Sequence, residues 1–507
     1  MRVATKNLIR SLTGGLLAVA LCVVPASAQF GGGGGGFGGG GGGLGGGGGG
    51  FGGGGGGLGG GGGTQGTQGA SGVVVDAEGV MRRVSVADPT GALARQRIEQ
   101  AMAKLEGDLT KPSKLRKVSL TRLEQEVAKK VAAGEQADDV MQHLAGLTRV
   151  DFVFCYPETG DIVIAGPAEP WAVSPAGRTL GVKSGQPVVE LQDLVVALRA
   201  FPPAASKSGE TGANNPLIYC SIDPTQEGLA RFQEFLGGFA RTSTGRPPNQ
   251  AETQMLVSQM QEKLGPQMIT VGGVPASTHF AQVLVEADYR MKLIGIGLEQ
   301  PPVRLKSYVE RANPSAVARN AMQRWYFVPD YERLKVSEDS LAMEIVGEGV
   351  KLIGEDEMIQ QSGARKAVGR GNRASQAFVS AFTKAYPQLA ERSPVYAQLR
   401  NCIDLAVAAA FIQDRDLYSQ ADWQMTTFSD ESAYSVETEN APEKVASAVN
   451  SIWKGSTLMT PIGGGVHIRP SEALQPVNLL ADEEGQVGAA RSQVNLDSLK
   501  AGQWWWD

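Results

Sequence analysis

A block of nearly pure glycine separates the first residues of this chain from everything that can fold. Phe30, Phe37, Leu44, Phe51 and Leu58 recur every seven positions, and the other 29 residues from Gly31 to Gly63 are all glycine. A seven-residue spacing lines one stripe of a helix. Glycine, however, costs about 1 kcal/mol per position there, so the block forfeits roughly 30 kcal/mol and is no coiled coil. In a strand, an odd spacing throws successive bulky residues to opposite faces. In a three-per-turn polyproline-type helix, seven leaves a remainder of one, and the stripe winds around the axis. The expectation is a disordered tether, with a root-mean-square span of roughly 35 Å over about 40 residues. The alternative reading makes the spaced Phe and Leu stickers for an envelope layer, a protein partner or self-association.

Ahead of the block stand the marks of an export signal. Arg2, Lys6 and Arg10 precede an apolar run from Leu16 to Val24, and Ala26-Ser27-Ala28 fits a cleavage site, leaving Gln29 first in the mature chain. Leu21 ahead of Cys22 argues against lipidation. The densest later apolar run, Leu405 to Ile412, falls short of the roughly 18 residues a membrane helix needs. The expected location is therefore the periplasm, cell envelope or medium, with no transmembrane helix after cleavage unless the signal is retained as an anchor.

Losing that segment removes three positive and no negative charges, taking the net charge from −5 to −8. Such a chain is no general nucleic-acid binder. Three cysteines remain, Cys155, Cys220 and Cys402. A bridge between Cys155 and Cys220 and three buried free thiols are both open.

Periodicity after the block predicts a mixed α/β or α+β fold, with an α/β lobe, an antiparallel β-meander and C-terminal helices. The expected division is signal 1–28, Gly-rich linker 29–72, a mainly helical region 73–148, the lobe 149–300, the meander 301–360, a basic linker 361–373, a helical and mixed region 374–480 and a tail 481–507. Two runs around Glu78-Gly79 read as short strands. Val150 to Cys155 and Asp161 to Ala165 flank Pro157-Glu158-Thr159-Gly160 as a hairpin. Leu217 to Ile222 reads as a strand feeding a helix that Asp223 caps and Pro224 starts. Trp325 to Ile353 contains four strand-like runs, the expected meander. Helices are expected over Ser375–Tyr386 and Ser393–Gln413, the second deeply buried because it is apolar nearly all round.

Searches for chemistry end mostly in exclusions. His143, His279 and His467 are far apart, and no C-x-x-C, H-E-x-x-H or calcium-loop spacing occurs. Only a metal site assembled from distant carboxylates is left, and no cofactor is expected. No G-x-S-x-G is present. Ser451-Ile-Trp-Lys454 fits S-x-x-K without its companion motifs, and Gly369 to Ala374 resembles a dinucleotide fingerprint without a preceding strand.

The helix expected over Ser277–Leu298 carries the one constellation worth weighing. Phe280, Val283, Leu284, Ala287, Met291, Ile294 and Leu298 form its apolar face, while Glu286/Arg290 and Asp288/Lys292 pair four apart on the outer side. His279, Gln282, Glu286, Asp288, Arg290 and Lys292 are thus the candidate polar surface for a ligand or subunit. Ser277, His279 and Asp288 make poor triad geometry. Trp504-Trp505-Trp506 either dock on the parent domain or anchor a partner.

Three stretches carry a family likeness. They are Phe154 to Trp171 (FCYPETGDIVIAGPAEPW), Ser221 to Gly228 (SIDPTQEG) and Ala287 to Lys292 (ADYRMK), joined by Tyr386-Pro-Gln-Leu-Ala-Glu and Leu399 to Ala406. Together they resemble the secreted bacterial family called domain of unknown function 1598, over roughly residues 138–413. That resemblance implies no mechanism and no catalytic residues. The functional expectation is therefore an exported, non-catalytic binding or cell-envelope structural protein. The alternative is a secreted hydrolase with a non-standard site, using acids such as Asp151, Glu158 or Asp161 near the hairpin.

Overall fold

In the computed structural model, the described residues are 70–507 apart from 204–215, 243–248, 313–323, 355–356, 360–364, 368–372, 451, 455–456, 460–464, 495 and 497–498. The glycine block, the signal segment, Ser451 and most of the basic linker lie outside them. The fold is α+β, with two principal sheets.

The larger sheet has eight strands, in the order Ala70–Val75, Val80–Val86, Lys444–Val445, Gln267–Gly272, Ile218–Pro224, Gly465–Ile468, Trp325–Pro329 and Val350–Gly354. Its pairings are antiparallel except where Lys444–Val445 meets Val80–Val86 and Gly465–Ile468 meets Trp325–Pro329. The smaller sheet has six, in the order Leu334–Val336, Ala342–Ile345, Phe152–Tyr156, Asp161–Ala168, Ser113–Ser119 and Trp505–Trp506. The expected hairpin is present, with Tyr156 opposite Asp161 and Gly160 at φ 71° closing the turn, a backbone geometry that glycine adopts without strain.

The four strands expected between Trp325 and Ile353 all form, but they pair in a nested way. The outer two join each other in the large sheet and the inner two join each other in the small one. The buried Arg333, 1% exposed, sits where the chain passes between sheets and donates to Asp404 at 2.5 Å.

Ile218–Pro224 runs two residues further than its apolar pattern, so Asp223 and Pro224 are strand residues. Thr225 caps the following helix, Gln226–Thr242, its hydroxyl accepting from Gly228 N at 3.0 Å. Asp223 pairs instead with Arg324, at 3.3 Å. The next helix, Gln250–Leu264, starts on a capping box of Asn249 and Glu252. These two helices pack on one another through Phe232, Leu256, Met260 and Leu264, in a small core of their own.

Helix Pro394–Asp414 is the centre of the main core. By length and composition it could cross a membrane, yet its apolar window is wholly buried within the fold. Several of its polar side chains are tied down, although the Tyr396 hydroxyl finds no partner among the described residues. Asn401 donates to Thr148 O at 3.1 Å, Arg400 to Glu348 at 2.9 Å, and Asp404 lies between Arg333 and Arg149. Around it pack Leu191–Ala200, His279–Gly295 and Arg373–Arg392.

All three cysteines are free and buried, so Cys155 and Cys220 are not bridged. Trp505 and Trp506 pair with Val118 and Lys117 as an edge strand, and Trp504 is 6% exposed. The tail is docked on its own domain.

Candidate binding site

The helix His279–Gly295 opens on Thr278, whose hydroxyl accepts from Ala281 N at 3.2 Å. Residues three and four apart share a helix face, which puts His279, Gln282, Glu286 and Arg290 on one stripe. That stripe does not face open water. Glu286 is 3% exposed and receives Arg178 on one oxygen and Arg290, at 3.4 Å, on the other. Arg290 reaches on to Glu299 at 2.7 and 2.9 Å, and Glu299 also receives Arg83 at 2.7 Å. Gln282 donates to Glu439 at 3.2 Å.

Asp288 and Lys292 take the opposite side and belong to the interior. Lys292 donates to Asp288 at 2.8 Å and to Ile222 O at 3.1 Å. Asp288 is fully buried, and its second oxygen finds no hydrogen-bond partner among the described residues. Burial pushes the Asp288 carboxyl up to about 6, against the pull of Lys292. The six candidate residues therefore do not form one exposed surface. Asp288 and Lys292, expected on the outer side with Glu286 and Arg290, lie in the interior, and other segments cover both sides of the helix.

At its N-terminal end the stripe meets the helix Leu191–Ala200. His279 Nδ1 lies 2.9 Å from Asp193 Oδ2 and 3.8 Å from Glu190 Oε2. Burial alone would lower the His279 pKa, but the Asp193 and Glu190 carboxylates outweigh it and raise it to about 10. Burial opposes ionisation of Glu190 too, yet His279, Gln192 and His143 hold it below the usual range. The Nε2 face of His279 lies 3.4 Å from the amide nitrogen of Gln398, whose oxygen accepts from Arg178. A continuous polar chain thus runs from Arg83 through Glu299, Arg290, Glu286, Arg178, Gln398 and His279 to Asp193.

A cavity opens at each end of this chain. One, of about 620 Å³, is lined by Arg83, Arg178, Arg290 and Arg392 with Glu299 and apolar walls such as Leu180 and Leu298. Arg83, Arg178 and Arg290 are bonded to Glu286 or Glu299, and Arg392 donates to Pro302 O, so four guanidinium groups stand beside two carboxylates and the site holds a surplus of positive charge. The other cavity, of about 440 Å³, is lined by His143, Glu190, Gln192 and Tyr434, among others.

The acids near the hairpin do not line either cavity. Asp161 is held by Arg122 at 2.8 and 3.0 Å and by Ser119 at 2.5 Å, and those partners keep its carboxyl low despite burial. Asp151 lies 3.5 Å from Arg149, and Glu158 is exposed on the turn. Ser277 donates to Glu437 at 2.6 Å rather than to His279.

Arg83, Arg178, Glu190, Asp193, Glu299 and Arg392 were not read as site residues. Glu190 and Asp193 stand at the start of the helix Leu191–Ala200, but their partner His279 lies 86 residues beyond Asp193. No spacing rule reaches that far.

Neither the curated proteins nor the solved structures include a match to this chain. The motifs Ser221–Gly228 and Ala287–Lys292 fall inside the one segment that a family model covers, whereas Phe154–Trp171 and Tyr386–Ala406 fall outside it. Residues 220–308, which include the whole of the site helix, match the model of the family described as a protein of unknown function, DUF1598.

Proposed function

We propose that this chain is an exported, non-catalytic binding protein that takes a small organic anion in the arginine-lined cavity. The observation that carries the reading is the convergence of Arg83, Arg178, Arg290 and Arg392 on one cavity of about 620 Å³, with Glu299 in its wall and Glu286 bonded to Arg178 and Arg290. Guanidinium groups bind carboxylate and phosphate through paired N–H donors. The Leu and Pro walls suit an apolar portion on the ligand. Export rests on the signal pattern over residues 1–28, and the glycine block then serves as the tether that holds the folded part clear of its neighbours.

Thermal unfolding with added citrate or inorganic phosphate, against sodium chloride at equal ionic strength, tests the binding. An anion that binds only the folded state raises the melting temperature. The rise should shrink in the Arg83→Gln/Arg392→Gln double variant, whose side chains are solvent-accessible and whose loss leaves the fold intact. An equal response to chloride, or no loss in the double variant, would count against this reading. Fractionation of the native cells checks the location, and recovery in the cytoplasm would remove the export half of the proposal.

A further inference from the structure

At the other end of the polar chain, we propose that His279, Asp193 and Glu190 form a binding site for a divalent transition-metal ion of the zinc class. This goes beyond the anion site and does not depend on it. One ligand atom from each residue lies within 4.8 Å of the other two. Atoms bound to a common ion at about 2.0–2.2 Å stand roughly 3–4 Å apart, and the 2.9 and 3.8 Å separations from Nδ1 are close to that range. One imidazole nitrogen with two carboxylates is a donor set that suits zinc rather than calcium or magnesium, which favour oxygen alone.

The surroundings suit the role. Asp193 and Glu190 stand at the start of a ten-residue helix, and His279 starts a seventeen-residue one, so all three are set on rigid elements. Asp193 is 6% exposed, and the Glu190 side chain, 16% exposed, forms part of the wall of the 440 Å³ cavity. Of the three ligands Glu190 reaches that cavity, where His143 and Tyr434 also stand. With a metal on Nδ1 the ring proton resides on Nε2, the nitrogen that faces Gln398.

The test is metal content. Purified protein is stripped with chelator, incubated with zinc, desalted and analysed by atomic emission. One zinc per chain is expected for the wild type and for Lys129→Gln, whose exposed side chain lies outside both cavities. Glu190→Gln and His279→Gln should each weaken binding by at least about 100-fold, since even outer partners of a metal ligand are worth 10–100-fold. Circular dichroism of each metal-free variant separates lost binding from lost folding, and Glu190→Gln, at the cavity wall, is the substitution the fold tolerates best. Wild-type protein that is folded and retains no zinc overturns the proposal. So does equal retention in folded Glu190→Gln and wild type.

Discussion

In the metal-free protein, two carboxylates favour the charged form of the His279 ring. It faces Asp193 and Glu190, with Arg178 opposing and His143 beyond Glu190. The folded state raises its pKa from 6.5 to about 10. A group raised on folding stabilises fully below its unfolded value, and that contribution fades as pH rises and is gone above the folded value. The stability difference between wild type and His279→Gln should therefore be largest at or below about pH 6.5 and shrink towards pH 10. Urea midpoints of both proteins across that range measure it, and a constant difference would show that the ring contributes by packing alone. Glu190 adds the opposite limb. Its carboxyl is lowered, so its contribution is present above its usual 4.5 and is lost as the solution becomes more acid.

Asp404 makes a different point about single residues. It is fully buried and neutralises Arg333, itself 1% exposed, as well as Arg149 at 3.3 Å. Removing one partner from a buried pair leaves an uncompensated charge, at a cost of about 3–5 kcal/mol. Asp404→Asn should lower unfolding free energy by that order, measured by urea denaturation. A loss under about 1 kcal/mol would mean that water reaches the guanidinium. Asp404 on the central helix is thus structural, although in sequence it looks no different from a residue of a binding face.

Among the elements, the tail strand Trp505–Trp506 shows how the end of the described fold is secured. It covers the edge of Ser113–Ser119, and Asp507 completes the shell of Arg116 with bonds of 2.8 and 2.9 Å. The same guanidinium donates to Ala145 O and Asp108 O, and its plane lies 4.8 Å from the Trp505 ring. Asp507→Ala deletes the charged partner of a fully buried arginine while leaving two carbonyls. The expected cost is about 1–3 kcal/mol. Hydrogen exchange should also speed up at Val118 and Lys117, the residues opposite the tryptophans. Unchanged exchange there would mean that the indole rings alone hold the strand.

At the level of the whole molecule, residues 65–507 form one compact unit, and one core cluster draws on residues from Val75 to Trp504. If residues 30–63 act as the tether proposed above, deleting them should leave the melting temperature unchanged. A fall in melting temperature would make the glycine block part of the fold rather than its tether. The sheets are built from distant pieces of chain. Lys444–Val445 inserts between Val80–Val86 and Gln267–Gly272, and Gly465–Ile468 lies between Ile218–Pro224 and Trp325–Pro329.

What could be read from the sequence was therefore local. The hairpin at Pro157–Gly160, the buried helix after Ser393 and the α+β class all follow from side-chain period and turn chemistry within a dozen residues. The stripe of His279, Gln282, Glu286 and Arg290 was legible for the same reason. The cap at Thr225 was misplaced by two residues, because strand pairing with Gln267 and Met268 extended Ile218–Pro224 past its apolar run. Sequence by itself determined which segments form helices or strands, because backbone preference and burial period act over neighbours. Only the tertiary structure decided what the stripe faces. Arg83, Arg178 and Glu299 reach it from separate segments, as do Glu190 and Asp193. Charge attraction and burial bring them together across long stretches of chain, and no local pattern encodes that.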